Sequence, residues 1–85
     1  MGTKDTVAAS PLSQAMAMAV KLHMVRRNLQ QKDLVELAGR SEPYWSKRLR
    51  GTMGFTLGDV EALASGLGLE VEALMADAVT ELGKL

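Results

Sequence analysis

The residues best suited to chemistry crowd into one stretch. Arg40, Ser41, Glu42, Tyr44, Lys47, Arg48 and Arg50 all fall within residues 40–50, interleaved with the apolar pair Trp45 and Leu49 at i, i+4. Ser41 is a good helix N-cap, Glu42 and Pro43 are tolerated in a first turn, and Gly51 suits a helix stop. The spacing therefore predicts a short helix over 42–50. At about 100° per residue, with Trp45 and Leu49 inward, Pro43, Lys47 and Arg50 point away from the core, and Tyr44 and Arg48 lie on the flank. Arg and Lys on such a face reach guanine O6 and N7, Glu42 can accept from cytosine N4, and the amides at the Ser41 end are oriented to hold a phosphate. That chemistry is recognition of a polyanion.

Catalysis has little to work with. The chain has one His, one Tyr and no Cys, which excludes disulfides, thiolate nucleophiles and cysteine-built metal sites and fits the reducing cytoplasm. His23 has no second ligand or nucleophile at usable spacing and reads as a packed or surface residue. None of the eight glycines builds a GxxxxGK[ST] phosphate loop. A non-enzyme without cofactor, metal or small-molecule ligand is expected. No apolar run approaches the ~20 residues of a membrane helix.

The formal net charge of zero hides an uneven distribution. Residues 1–52 hold nine Lys and Arg against four Asp and Glu, a balance of +5, and residues 53–85 hold one against six, a balance of −5. A dipolar domain of this kind can turn one face to a polyanion.

The elements that position the basic helix follow from length and punctuation. Eighty-five residues make a single small domain, expected over 10–85 behind a flexible tail at 1–9. Strand alternation is absent, whereas helical periodicity runs throughout. Ser10-Pro11 opens a helix over 11–27 with two apolar stripes, Leu12/Met16/Val20/Met24 and Ala15/Met18/Leu22/Val25. Asn28 can end it. A second helix covers 31–38, with Leu34 and Leu37 or Ala38 inward, and Gly39 closes it. After the basic helix, Thr56 caps a fourth over 57–65, with Leu57, Val60, Leu63 and Ala64 inward. Gly66-Leu67-Gly68 breaks the chain before a fifth over 70–82, whose stripe is Val71, Leu74, Met75, Ala78, Val79 and Leu82. The expected fold is all-α with five helices. Two short helices meeting at a glycine-containing turn, the second capped and cationic, have the sequence shape of a helix-turn-helix.

Three segments in order carry a family resemblance: Leu29-Gln30-Gln31-Lys32-Asp33-Leu34-Val35-Glu36, Gly39-Arg40-Ser41, and Gly51 followed by Leu57, Val60, Leu63-Ala64, Leu67-Gly68-Leu69 and Leu74. This pattern resembles the lambda repressor/Cro type helix-turn-helix, the XRE family, without gaps over about residues 20–75. The Tyr44–Gly51 stretch is similar to a version common in actinobacterial and mycobacteriophage regulators. The resemblance implies a compact lambda-repressor-like domain that binds double-stranded DNA. It puts base-reading positions on Glu42, Pro43 and Lys47, with Tyr44 and Arg48 nearby. It puts phosphate contacts on Gln31, Ser41 and the Arg50–Thr52 corner, with Lys32 and Arg40 beside them. Position 48 is usually apolar in the family, and Leu49 takes over the inward role here. Pro43 replaces a common polar base-reader and leaves only thymine-methyl contact or groove shape.

A cytoplasmic transcriptional regulator is expected, a phage-type repressor or Cro-like protein acting by promoter occlusion. The alternatives are an antitoxin-like protein or a protein-interaction module of the same fold, whose main partner is another protein. Ala78, Val79, Leu82 and Leu85 extend the last stripe beyond what a small core needs and make a candidate homodimer surface. The second stripe of the first helix is its rival, and a dimer would match a palindromic operator.

Overall fold

Every helix but the last opens at a residue that accepts or frames its first amides. Ser10 Oγ accepts from Ser13 N at 3.1 Å, Ser41 Oγ from Tyr44 N at 3.3 Å and Thr56 Oγ1 from Asp59 N at 3.0 Å. The Asp33 carboxylate reaches back to Gln30 N at 2.8 Å. The computed structural model describes residues 8–85, so the tail expected at 1–9 lies, except for Ala8 and Ala9, outside the described residues. The helices are α1 Pro11–Arg26, α2 Gln31–Ala38, α3 Glu42–Leu49, α4 Leu57–Gly66 and α5 Val71–Leu82. No strand occurs among the described residues.

Three helix ends close alike. After α1 the amides of Asn28 and Leu29 return to the Val25 and Met24 carbonyls, after α3 those of Gly51 and Thr52 return to Arg48 and Lys47, and after α4 those of Gly68 and Leu69 return to Ser65 and Ala64. Asn28, Gly51 and Gly68 each take a positive φ there, the left-handed residue of a Schellman closure. These bonds are local, which is why the sequence punctuation finds them.

The core is one cluster around Val20, Leu34, Trp45, Leu63 and Leu74, all fully buried. α1 packs along α5 and also touches α3, while α2 rests on α3 and α4. Contact on two sides explains why α1 is apolar around more than one face: Ala15, Met16, Ala17, Ala19, Val20 and Met24 are all buried. Leu12, Leu22 and Val25 remain exposed.

Several inward expectations are corrected. Leu57 is 82% exposed, because at the open N-terminal end of α4 no neighbour reaches over it; it forms the lip of a hollow with Leu12, Phe55, Val60 and Met75. Val71 is likewise exposed at the start of α5. Of the two alternatives for α2, Ala38 is the one that packs on the core, and Leu37 is exposed. Ala78 is fully buried in the core and cannot belong to a dimer surface.

α4 also runs one residue further than expected, to Gly66, whose missing side chain lets α2 come close. A Cβ at position 66 would stand 2.6 Å from the Leu37 carbonyl oxygen and 2.9 Å from its carbon. Gly→Ala within an ordinary helix gains about 0.5–1 kcal/mol. Here the clash decides the sign, and Gly66→Ala is expected to cost about 1–3 kcal/mol through forced separation of α2 and α4. A denaturant midpoint equal to or above wild type would show that the two helices have room.

Candidate nucleic-acid interface

α3 has two unlike faces. Trp45, Arg48 and Leu49 are buried, while Glu42, Pro43, Lys47 and Arg50 are exposed, with Ser46 half-buried among them. The inward face fixes the outward one. Trp45 Nε1 donates to the Gly39 carbonyl at 2.6 Å, tying α3 across the turn to the end of α2. Gly39 and Arg40 make that turn with φ of 82° and 68°.

Asp59 of α4 anchors α3 from behind. It is buried and accepts from Tyr44 Oη at 2.7 Å, from Arg48 Nε at 3.3 Å and from Thr56 N at 3.0 Å. Arg48 Nη1 also donates to the Tyr44 carbonyl at 3.1 Å. The guanidinium carbon of Arg48 lies 3.5 Å from the Tyr44 ring centre, and Trp45 meets Tyr44 edge-on at 5.1 Å. No buried side-chain polar atom among the described residues lacks a partner.

This cluster corrects two expected groove contacts. Arg48 is only 6% exposed and held by Asp59, so its guanidinium is unavailable on the outer face. Tyr44 is half-buried with its hydroxyl engaged. Burial, then the hydrogen bond that the phenol donates to the Asp59 carboxylate, push the Tyr44 phenol above its ordinary value of 10.0, although Arg48 and Arg40 oppose the shift. The unfolded phenol therefore ionises first. The contribution of this group to stability is fully present below pH 10 and is lost as pH rises through the folded value. Unfolding midpoints at pH 8 and pH 11 should differ more for the native chain than for Tyr44→Phe, and equal differences would rule this coupling out.

Gln31, the first residue of α2, lines one hollow with Lys21, Leu49 and Arg50. Lys32, Arg40 and Ser41 are exposed. Arg40 lies with its guanidinium carbon 4.5 Å from the Tyr44 ring centre. Thr52 is exposed, and its hydroxyl donates to the Lys47 carbonyl at 2.8 Å, which stiffens the corner after α3. Among the described residues none of Lys32, Arg40, Lys47 and Arg50 forms an ion pair, so their charge faces solvent.

Two residues escaped the sequence reading. Ser46 stands three positions after Pro43 and four before Arg50, which puts it on the outward face, and its Oγ accepts from Arg50 Nη1 at 3.1 Å. Asp59 was legible as the partner of Thr56 in a capping box, but nothing local announced its burial against α3. His23 is structural: Nε2 lies 2.7 Å from Asp77 Oδ2, and Nδ1 accepts from Arg27 Nη1 at 3.1 Å, which pins α1 to α5. Of the candidate dimer stripe, Val79 and Leu85 are 57% and 63% exposed and Leu82 is half-buried. No helix among the described residues is long and apolar enough to cross a membrane.

Comparison with known proteins agrees with this fold. The family described as "Helix-turn-helix domain" matches residues 15–78. No curated protein matches the chain significantly. The crystal structure of the wild-type restriction-modification controller protein C.Esp1396I is similar in fold, with a TM-score of 0.80 at 20% sequence identity over 89% of this chain and 99% of that one. With α2 and α3 as its two characteristic helices, and a match to the family covering most of its length, the chain belongs to the helix-turn-helix domain family, a DNA-binding architecture.

Proposed function

We propose that the protein is a sequence-specific transcriptional repressor that lays α3 in the major groove of duplex DNA and blocks a promoter by occupying it. The observation that carries this reading is the outward face of α3, where Pro43, Ser46, Lys47 and Arg50 stand together with no carboxylate among the described residues paired to either cation. Lys47 would reach base edges, Glu42 would accept from cytosine, and Pro43 would press on a thymine methyl. Gln31, Lys32, Arg40, Ser41, Arg50 and Thr52 would meet phosphates and set register. The reading covers a phage-type or Cro-like repressor, and the likeness to a restriction-modification controller supports a small control protein of the same kind. A twofold dimer would use the exposed Val79 and Leu85 with Leu82 at their edge, and the acidic C-terminal half would then lie away from DNA.

Selection of duplexes from a random pool at near-physiological salt tests this directly. An enriched palindrome is the expected result, whereas a single half-site would leave DNA recognition standing and remove the dimer. Lys47→Ala should cost about 1–3 kcal/mol at one base position, while Arg50→Ala should weaken binding to all sequences and lower the salt slope by about one. Unchanged binding by both variants would refute the assignment of α3 to the groove.

A further inference from the structure

The Arg40–Tyr44 contact has no evident role in holding the fold together. Arg40 is exposed, takes a left-handed backbone with φ 68°, and still has its guanidinium over the Tyr44 ring. A side chain other than glycine persists in that region only where its surroundings determine it. The surroundings here are unusually fixed. The Tyr44 ring is held by its hydroxyl on the buried Asp59, by Arg48 at 3.5 Å and by the edge of Trp45. Arg40 rests on this immobile surface one residue before the N-cap of α3, where amide hydrogens point outward.

We propose that Tyr44 is a positioning residue: its ring is a platform that holds the Arg40 guanidinium ready for a DNA backbone phosphate at the start of α3. Tyr44 and Asp59 then act on DNA through Arg40 without touching it. An arginine that is free in solution must lose rotamer freedom when it grips a phosphate, and one already stacked on a fixed ring has lost part of it beforehand. A planar guanidinium lying over a ring can keep its edge donors for phosphate oxygens, which an ammonium cannot imitate. The inference rests on the proposed DNA-binding function and adds to it a coupling between a carboxylate inside α4 and a phosphate outside α3.

The test measures affinity and salt slope on the duplex enriched by the native protein, for Arg40→Ala, Arg40→Lys, Tyr44→Leu and the double variant Arg40→Ala/Tyr44→Leu. Arg40→Ala should lower the salt slope by about 0.9. Tyr44→Leu should weaken binding about two- to fivefold in the native background, the size of an exposed cation–π contact, and not further in the Arg40→Ala background. Arg40→Lys keeps the charge, and with it the salt slope, and should lose about the same two- to fivefold as Tyr44→Leu. If Tyr44→Leu does not fold, Arg40→Lys decides alone. Native affinity for Arg40→Lys, or the same Tyr44→Leu penalty in both backgrounds, would overturn the platform. Native affinity for Arg40→Ala beside weakened Lys47→Ala would overturn it while leaving the DNA-binding reading intact. Failure of the native protein to enrich any duplex would overturn both.

Discussion

Asp59→Ala should destabilise the protein by about 3–5 kcal/mol, the usual cost of stranding one member of a buried ion pair. The carboxylate has three separate partners: the Arg48 guanidinium, the Tyr44 hydroxyl and the Thr56 amide at the head of α4. Truncation leaves Arg48 charged and buried with only the Tyr44 carbonyl to receive it. It also opens the capping box, worth about a further 0.5–2 kcal/mol. In a domain whose whole stability is ~5–15 kcal/mol, this is a large fraction. At ~4–8 °C per kcal/mol for a chain of this size, the melting temperature should fall by roughly 12–40 °C. Arg48→Leu in the same chain should recover much of the loss, because removing both charges of a buried pair is often nearly neutral. Calorimetry of the two single variants and the double variant measures the coupling. A single-variant loss below about 1 kcal/mol would mean that Arg48 reaches water once released.

Trp45→Ala is the second large effect, about 3–5 kcal/mol for a fully buried aromatic. Trp45 fills the space between α3 and the rest of the core, and it also ties α3 to the turn through Gly39. Trp45→Phe separates these roles, since it keeps most of the apolar surface and removes the indole N–H. The Gly39 backbone is exposed, so its carbonyl can turn to water. The Phe variant should therefore lose only about 1–2 kcal/mol while loosening the angle between α2 and α3. Thermal melts followed by circular dichroism read the stability, and duplex affinity reads the angle. An Ala variant as stable as the Phe variant would show that the indole tie, not packing, carries the effect.

The two variants act on the same geometry from opposite ends. Asp59 holds the rear of α3 against α4, and Trp45 holds its head against α2. Between them they leave only one face of α3 to solvent. That face is where Lys47, Ser46 and Arg50 stand.

The sequence by itself determined the helices and the outward direction of Pro43, Lys47 and Arg50. Both follow from forces that act within a few residues: Ser10, Ser41 and Thr56 accept amides three positions on, and Asn28, Gly51 and Gly68 close helices through bonds spanning three to five positions. Only the tertiary structure decided what lies behind that face. Arg48 carries the same charge as Lys47 and sits beside it in the chain, yet a carboxylate eleven residues away draws it inside. Tyr44 turns inward for the same reason, so both flank residues expected near the base-reading positions are drawn in, and Ser46 joins the outward face. Ala78 is buried and its neighbour Val79 exposed because α1 covers one side of α5 and leaves the other open. Whether a charge or a methyl is buried depends on which partner another element brings to it, and the local pattern of residues carries no record of that partner.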